Sequence, residues 1–438
     1  MAKLKLITFG CQANEADSEK IAGVLAEEGF DLTETAEDAD LILLNTCSIR
    51  EKAEHKVYSL LGTFQRLKAQ NPRLKIGLCG CLAQREGERL KTRFPYLDLV
   101  AGPGAMIYRI PNLLKGGSNG PVLPRPKEPL PLYTQSPRPR RESTFKAWVS
   151  IMEGCNYLCT FCVVPYTRGP ERSRPPGDIM AEVEELLRQG YKEITLLGQT
   201  VNAYGKNLKP RTRFSDLLKA IDTLSGGTIR VRFTSSHPKD LTPDLIEAIA
   251  SLNSVCEHLH LPVQAGSDRV LKRMGRLYTR EDYLVKARAL REVVPDIALS
   301  TDFIVGFPGE SEKDFRETLS LLEEVRFDSL FAFKYSPRPL TPAAIHPHQV
   351  PEEVKTDRLN LLLKRHDQIA LEQNTGRVGT IEEVLVEEGP NTKLQRSATG
   401  RSRRNQLVHF SEEYLPPGLT VSAVITEAYS HYLKAKSR

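Results

Sequence analysis

The sequence lacks the features of membrane-bound and secreted proteins. It contains no apolar run approaching the roughly 18 residues of a membrane span. Its first residues lead straight into a strand pattern, without the apolar stretch of a signal peptide. We therefore expect a cytoplasmic protein with no membrane partner, in which the eight cysteines stay reduced and bind metal rather than form disulfides.

Strong charge is also lacking, since the net charge of the 438-residue chain is only +6. That value is a weak indication of an anionic partner unless the basic residues cluster. The hydrophobic fraction of 40% and the charged fraction of 26% are ordinary for a folded protein. The length leaves room for two or three domains, each with its own core.

Histidine is absent between His55 and His237, which limits what a cysteine loop in this interval can bind. Cys155, Cys159 and Cys162 have C-x3-C-x2-C spacing and place three thiolates on one short loop. A structural zinc site needs a fourth Cys or His close by, which the loop does not provide. Three thiolates instead suit a [4Fe-4S] cluster that leaves one iron open to a non-protein ligand. The alternative is a structural or redox cysteine cluster.

Residues 1–118 form the first predicted domain, in which short apolar runs alternate with helical patterns. This alternation predicts a parallel sheet with crossover helices. Cys11, Cys47 and Cys81 each follow one of the first three strands, and ligands of such sheets bind at the carboxyl ends of the strands. We therefore expect a second cluster with three protein ligands; three unrelated buried thiols are the alternative. The predicted strands span 4–9, 40–45, 75–78 and 97–100, and the helices include 18–28 and 52–69.

Cys79 precedes Cys81 by two positions in the same strand pattern. Side chains two residues apart in a strand point to the same face. The residue pattern alone therefore leaves open which of the two thiols is the third ligand.

Proline is dense between 119 and 143, which predicts an extended linker. Residues 144–372 then carry six β/α repeats, which predict an open partial (β/α)6 barrel within an α/β protein. The cysteine loop follows the first strand, and the ends of later strands carry segments that contain Gln199, Ser236 and Asp302. As a set on one rim, these segments predict a cofactor cleft. The predicted strands span 147–152, 193–198, 230–235, 258–263, 299–305 and 329–335, and the helices include 178–189, 215–224, 242–251, 280–293 and 312–325.

Several other residues of the central domain are expected to have structural roles. His258 and His260 alternate along a predicted buried strand. We expect them to pack in the core or to support other ligands, and not to bind iron themselves. Cys256, just before that strand, is expected to be a buried thiol. Trp148 is the single tryptophan, and we expect it to pack within the first strand.

Residues 373–438 alternate like the strands of a small antiparallel barrel, with predicted strands at 377–386, 397–399, 407–410 and 419–429. Arg401, Arg403 and Arg404 cluster on one of its loops. Clustered arginines can neutralise phosphates and stack on unpaired bases. We therefore predict that these three bind RNA; a barrel that merely caps the core is the alternative.

Together these motifs resemble the radical S-adenosylmethionine (SAM) methylthiotransferases. The loop reads C-x3-C-x-aromatic-C, with Phe161 as the aromatic residue, which is the radical SAM signature. The flanks of Cys11, Cys47 and Cys81 resemble the N-terminal domain of the family, whose motif selects Cys81 over Cys79. The segment 400–405 resembles the TRAM domain, an RNA-binding β-barrel of tRNA-modifying enzymes.

Within the family, the segments 163–169 and 335–339 most resemble the branch that adds a methylthio group to isopentenyl-type adenosine beside the tRNA anticodon. Thr200, Ala265 and Leu340 depart from the family pattern, where asparagine, serine and glycine are usual. None of the three is an expected cluster ligand. A sister enzyme acting on threonylcarbamoyladenosine or on a ribosomal protein is the second hypothesis, and a non-catalytic RNA-binding protein with structural clusters is the third.

The resemblance implies two [4Fe-4S] clusters and SAM, with Phe161, Gln199, Ser236 and Asp302 in the SAM cleft. One SAM would methylate a sulfur on the N-terminal cluster. The other would yield the radical that removes hydrogen from C2 of the adenine, so the two clusters must face one pocket. The implied partners are the tRNA anticodon stem-loop, an electron-donor protein and a sulfur source, and we expect a monomer.

Overall fold

The computed structural model describes residues 1–47, 51–103, 107, 110, 138–389, 397–411 and 414–438. Most of the predicted linker, residues 119–137, lies outside the described residues. Within the described ranges, no helix has both the length and the apolar character that crossing a bilayer requires.

The N-terminal unit is a five-stranded parallel sheet with strand order β2-β1-β3-β4-β5. The central strand β3 is buried along its whole length because helices cover both faces. The prediction of a parallel sheet is therefore confirmed, while the three-residue edge strand β2 was not predicted. The elements are β1 (Ala2–Phe9), α1 (Gln12–Glu27), β2 (Phe30–Leu32), β3 (Leu41–Thr46), α2 (Glu51–Gln70), β4 (Lys75–Gly80), α3 (Cys81–Glu86), α4 (Glu88–Arg93) and β5 (Leu99–Ala101).

The central unit confirms the predicted partial barrel. Its six main strands form two parallel three-stranded sheets, ordered β10-β9-β6 and β11-β12-β13, and a bridge between Val231 and Val255 joins them. Apolar residues of the strands and of the outer helices form one large core. The strands are β6 (Lys146–Ser150), β7 (Met152–Glu153), β8 (Arg172–Ser173), β9 (Glu193–Leu197), β10 (Arg230–Phe233), β11 (His258–His260), β12 (Ala298–Val305) and β13 (Ser329–Lys334). The helices are α5 (Val164–Thr167), α6 (Pro176–Arg188), α7 (Phe214–Ser225), α8 (Pro243–Ser251), α9 (Asp268–Met274), α10 (Arg280–Val293), α11 (Glu312–Val325) and α12 (Glu352–Thr375).

The first barrel strand is shorter than predicted, because the run 147–152 divides between β6 and β7. The two-residue β7 pairs antiparallel with β8 and forms a small ribbon beside the cysteine loop. Trp148 pairs with Thr195 of β9. Its neighbours Ala147 and Val149 point into the outer core, so alternation directs the indole to the opposite face of the sheet.

The C-terminal unit is a closed barrel with strand order β14-β15-β16-β18-β17. Among its described strands, one pairing corrects the antiparallel prediction: β16 and β18 run parallel. This parallel pairing lets the last strand close the barrel between β16 and β17. The strands are β14 (Ile381–Glu388), β15 (Thr399–Ser402), β16 (Leu407–Phe410), β17 (Thr420–Ala428) and β18 (Leu433–Ser437).

Candidate functional site

The predicted cysteine loop lies at the mouth of the partial barrel, directly after β7. Gly154 starts the loop with φ +73°, and a Cβ at this position would overlap the carbonyl oxygens of Gly169 and Pro170. Its N–H donates to Oε1 of Gln199 at 2.5 Å. The N–H of Cys155 donates to the carbonyl of Gly169 at 3.1 Å. The loop is thus held at its first residues by the chain that follows it and by a neighbouring strand end.

The sulfur atoms of this loop receive polar contacts. Sγ of Cys155 lies 3.2 Å from Oγ1 of Thr200 and accepts from the N–H of Tyr157 at 3.4 Å. Nη1 of Arg276 donates to Sγ of Cys159 at 3.5 Å. Burial raises the pKa of Cys162 to about 12, and the charges of Cys159 and Cys155 add to this rise. Cys159 is therefore buried beside a guanidinium, while Cys155 and Cys162 are half-buried.

Tyr157 anchors the outer side of the loop. Its hydroxyl donates to Oδ2 of Asp240 at 2.7 Å, and its ring stacks on His237. His237 is buried, and Nδ1 accepts from the N–H of Lys239 at 3.2 Å. Burial is the main cause that lowers the pKa of His237 to about 2, and nearby cations such as Arg276 contribute. The imidazole is therefore neutral at ordinary pH.

The three predicted N-terminal cysteines lie at one edge of the first sheet. Cys11 is the N-cap of α1, Cys47 directly follows β3, and Cys81 begins α3. A hydrogen bond with Cys47 is the main cause that lowers the pKa of Cys11 to about 5; the charge of Arg168 also contributes. Burial raises the pKa of Cys81, while Arg168 opposes that rise by its charge and by a side-chain hydrogen bond.

Cys79 occupies a different place from Cys81. Its side chain is completely buried in the core beneath α1, in contact with the cluster that contains Ile21 and Leu25. Burial raises its pKa. Because the chain turns from β4 into α3 at Gly80, with φ +92°, the two thiols do not share a face as an extended strand would have required.

The edge of the N-terminal sheet contacts the barrel mouth, as expected for two sites that face one pocket. Gln12, next to Cys11, has Oε1 3.3 Å from Oγ1 of Thr234 after β10. Arg168 extends from the end of α5 and donates to Oδ2 of Asp17 on α1 at 2.6 Å. The sequence motif around Arg168 gave no sign of this interdomain role, because the contact joins segments far apart in the chain.

Both sites fit iron–sulfur clusters by the chemistry of their donors. Each brings three thiols to a strand end next to a buried arginine, and cysteine thiolates near hydrogen-bond donors are the usual ligands of these clusters. Within the described part of the chain, no three His, Cys, Asp or Glu side chains already enclose a position for a metal ion. Cluster ligation by the six cysteines therefore stays a prediction.

The four predicted SAM-cleft residues differ in position: Phe161 belongs to the cysteine loop, Gln199 and Ser236 follow β9 and β10, and Asp302 lies within β12. Phe161 packs edge to face on Phe307 at 6.4 Å, and Gln199 is bound to the backbone of the cysteine loop. Ser236 is 4% exposed, and its Oγ has no hydrogen-bond partner among the described residues. Asp302 has Oδ1 3.5 Å from Nε2 of His260. An unpartnered buried hydroxyl fits a polar ligand in this cleft, and the SAM contacts of all four stay predictions.

The three arginines predicted to bind RNA differ in their surroundings. Arg403 donates to both carboxylate oxygens of Glu257, at 2.8 and 2.9 Å. Arg404 pairs with Asp328 at 2.7 Å. Arg401 is the most exposed of the three, with a side chain 38% exposed. Two of the three thus dock the barrel on the central unit, and RNA binding by the cluster stays a prediction.

Buried arginines of the central unit complete this docking surface. Arg230 and Arg232 on β10 donate to backbone carbonyls of the C-terminal barrel, at 2.7 to 2.9 Å. Arg232 also binds Glu193 at 2.8 Å. The sequence did not predict the contacts that Arg230, Arg232 and Arg276 make, because a strand pattern does not show which group a buried cation will bind.

Comparison with known proteins places this geometry in a family. Residues 149–322 match the Radical SAM superfamily, and residues 3–102 match the family described as Uncharacterized protein family UPF0004. The structure of the radical SAM methyltransferase TsrM from Kitasatospora setae shares the fold at a TM-score of 0.58 and 16% identity, covering 79% of this chain and 75% of that one. The radical SAM enzyme OxsB aligns at a TM-score of 0.54 and 16% identity, covering 84% of this chain and 56% of that one.

Relatives of nearly the same length are much more similar in sequence. The tRNA-2-methylthio-N(6)-dimethylallyladenosine synthase of Clostridium botulinum strain Hall is 48% identical over 430 residues, 97% of this chain and 95% of the relative. Those of Syntrophobacter fumaroxidans and Pelotomaculum thermopropionicum are 49% and 45% identical, covering 98% of this chain and 94% and 96% of the relatives. The chain therefore belongs to the radical SAM family of tRNA-2-methylthio-N(6)-dimethylallyladenosine synthases.

Proposed function

We propose that this protein converts N6-isopentenyladenosine beside the tRNA anticodon into its 2-methylthio derivative. The observation that carries the proposal is the pairing of two three-cysteine sites, one at the edge of the N-terminal sheet and one at the barrel mouth. Asp17 and Arg168 join the two edges at 2.6 Å. A reaction that attaches sulfur to an unactivated carbon needs a sulfur carrier and a radical source in one pocket, and this arrangement supplies a place for each.

The bound cofactors would supply the difficult chemistry: SAM with its [4Fe-4S] cluster provides the radical, and the N-terminal cluster carries the sulfur. The chain's own residues position and enclose these groups. Cys155, Cys159 and Cys162 would hold the radical SAM cluster, and Cys11, Cys47 and Cys81 the other one. Gln199 and Tyr157 keep the loop in place, and Ser236 offers a free hydroxyl to a polar ligand.

The proposed partners follow from the chemistry and from the relatives' names. The substrate is a tRNA anticodon stem-loop, and the reaction is placed in the cytoplasm. An electron-donor protein must reduce the radical SAM cluster, and a sulfur source must replace the sulfur used in each turnover. Arg401 has the most exposed side chain of the C-terminal arginine cluster and is the member best placed to contact a phosphate group of the RNA.

The test is an anaerobic reaction of reconstituted protein with SAM, a chemical reductant, sulfide and an anticodon stem-loop that contains isopentenyladenosine. Nucleoside mass spectrometry should show the methylthio product, and the variant C155A/C159A/C162A should form none. Parallel reactions with unmodified adenosine, threonylcarbamoyladenosine and ribosomal proteins define the substrate. A product only with one of these alternatives would establish a sister activity, and no SAM cleavage under any condition would leave the non-catalytic hypothesis.

A further inference from the structure

Arg168 contacts both predicted cluster sites through one short segment. It ends the turn of α5, which begins two residues after Cys162, and its N–H donates to the carbonyl of Val164 at 2.8 Å. The carbonyl of the next residue, Gly169, accepts from the N–H of Cys155 at 3.1 Å. The backbone of this segment is thus fixed to the loop of the radical SAM site at both ends.

The side chain of Arg168 leaves this segment and enters the N-terminal unit. Nη2 donates to Asp17 Oδ2 at 2.6 Å, and both side chains are only 5% exposed. Nη1 lies 3.8 Å from Oε1 of Glu153, which precedes the loop. The charge of the guanidinium acts to lower the pKa of both Cys81 and Cys11, and a side-chain hydrogen bond with Arg168 adds to this effect at Cys81. Asp17 is on α1, whose N-cap is Cys11.

We propose, on the basis of the proposed function, that Arg168 is a positioning residue for the N-terminal cluster. It fixes the edge of the N-terminal sheet against the radical SAM loop, and it supplies the buried cation beside the cluster's thiolates. A buried ion pair gives little net stability by itself, because desolvation offsets its attraction. Arg168 is therefore distinguished by its position beside two cysteine sites, and not by the stability that its ion pair adds.

A buried cation next to a cluster favours the reduced form, which carries one more negative charge. Loss of the Arg168 charge should therefore shift the reduction midpoint of the N-terminal cluster to a more negative potential. The measurement uses the full chain with C155A/C159A/C162A, so that only the N-terminal cluster titrates, and it is followed by electron paramagnetic resonance. No RNA is present, so the result does not depend on product formation.

Three variants separate the charge from the fold. Arg168→Gln should give the negative shift, and Arg168→Lys should restore most of the potential. Asp17→Asn should shift the midpoint in the opposite, positive direction, because it removes the anion that partly neutralises the cation. Arg172→Gln is the matched control, since Arg172 also binds Glu153, at 3.3 Å, but its side chain is 20% exposed, whereas that of Arg168 is 5% exposed. It should leave the midpoint unchanged.

Each result has a defined meaning. If Arg168→Gln loses N-terminal iron while Arg168→Lys and Arg172→Gln keep it, the positioning role is supported by iron content instead of potential. A normal potential in iron-loaded Arg168→Gln, or an equal shift in Arg172→Gln, would overturn the inference and leave the proposed function intact. Absence of an N-terminal cluster from the parent protein would overturn both.

Discussion

Tyr157 and His237 stack face to face at the barrel mouth, with ring centroids 3.9 Å apart and planes 5° from parallel. Tyr157 belongs to the cysteine loop, whereas His237 follows β10. The stack and the hydrogen bond from Tyr157 to Asp240 tie the loop to a strand end that contributes no cysteine. The geometry of the radical SAM site therefore depends on residues outside the cysteine motif.

Replacing His237 by alanine should loosen the loop. The change removes the aromatic stack, which is worth about 0.5–1.5 kcal/mol beyond its buried area, and leaves space under Tyr157. We expect a lower free energy of unfolding in urea and faster loss of loop-bound iron to a chelator. The exposed His348 provides the control: His348→Ala should behave like the wild type, and equal behaviour of both variants would contradict the anchoring role.

The stability of the protein should also depend on pH through His237. Burial holds the pKa of its imidazole at about 2 in the folded chain, whereas the unfolded imidazole takes up a proton near pH 6.5. Protonation therefore favours the unfolded state below pH 6.5, and the penalty grows as pH falls toward 2. Between pH 7.5 and 5.5 we expect a loss of about 1.4 kcal/mol.

Urea unfolding at the two pH values measures this loss. His237→Gln lacks the titrating group and should lose less stability than the wild type over the same interval. The comparison removes contributions of other titrating residues, because they are common to both proteins. Equal pH dependence of the two proteins would mean that His237 titrates normally in the folded state.

Iron and sulfide content should divide between the two cysteine sites. Wild-type protein reconstituted anaerobically should hold two [4Fe-4S] clusters, and the triple alanine variant of either site should hold one. Cys79→Ala is a matched control for Cys81→Ala, since it removes the thiol two positions away that packs in the core. Loss of all iron from C155A/C159A/C162A would mean a single cluster and would exclude sulfur insertion by the proposed route.

The arginine cluster of the C-terminal barrel should contribute more to docking than its sequence suggests. Arg403→Ala removes a two-pronged ion pair with Glu257 and two hydrogen bonds to backbone carbonyls. Hydrogen bonds to charged groups contribute roughly 1.5–3 kcal/mol each, so the melting temperature should fall. Lys436 is an exposed residue of β18, and Lys436→Ala should leave the melting temperature unchanged.

RNA affinity gives the second readout of this prediction. Arg401→Ala should weaken binding of the anticodon stem-loop without lowering the melting temperature, because its side chain is the most exposed of the three arginines. If Arg403→Ala instead weakens RNA binding at an unchanged melting temperature, its role is contact with RNA rather than docking of the barrel.

Two helices with locally encoded starts were predicted to the residue. Helices α10 and α11 have the predicted ends, and each begins with a capping box, at Thr279 with Asp282 and at Ser311 with Asp314. A few neighbouring residues determine where such helices start. Strand β18 was missed because its Leu-Lys-Ala-Lys-Ser sequence is polar, and its parallel partner lies far away in the chain.

The cysteines of the candidate site were predictable for a similar reason, since their spacing and their place after strands are visible in the sequence. Their surroundings were not. Arg168 and Arg276 reach thiols on other segments of the chain, and Arg403 reaches a carboxylate of another unit. A sequence pattern identifies a cation but not the group that neutralises it, because that choice is made by tertiary packing.

Trp148 gives the protein a built-in optical signal. It is the single tryptophan of the chain, and it lies on β6, just ahead of the cysteine loop. All indole fluorescence therefore originates from one wall of the barrel. Iron–sulfur clusters absorb in the range where indole emits, so loading of the nearby loop would quench this light and make cofactor assembly visible in real time without any label.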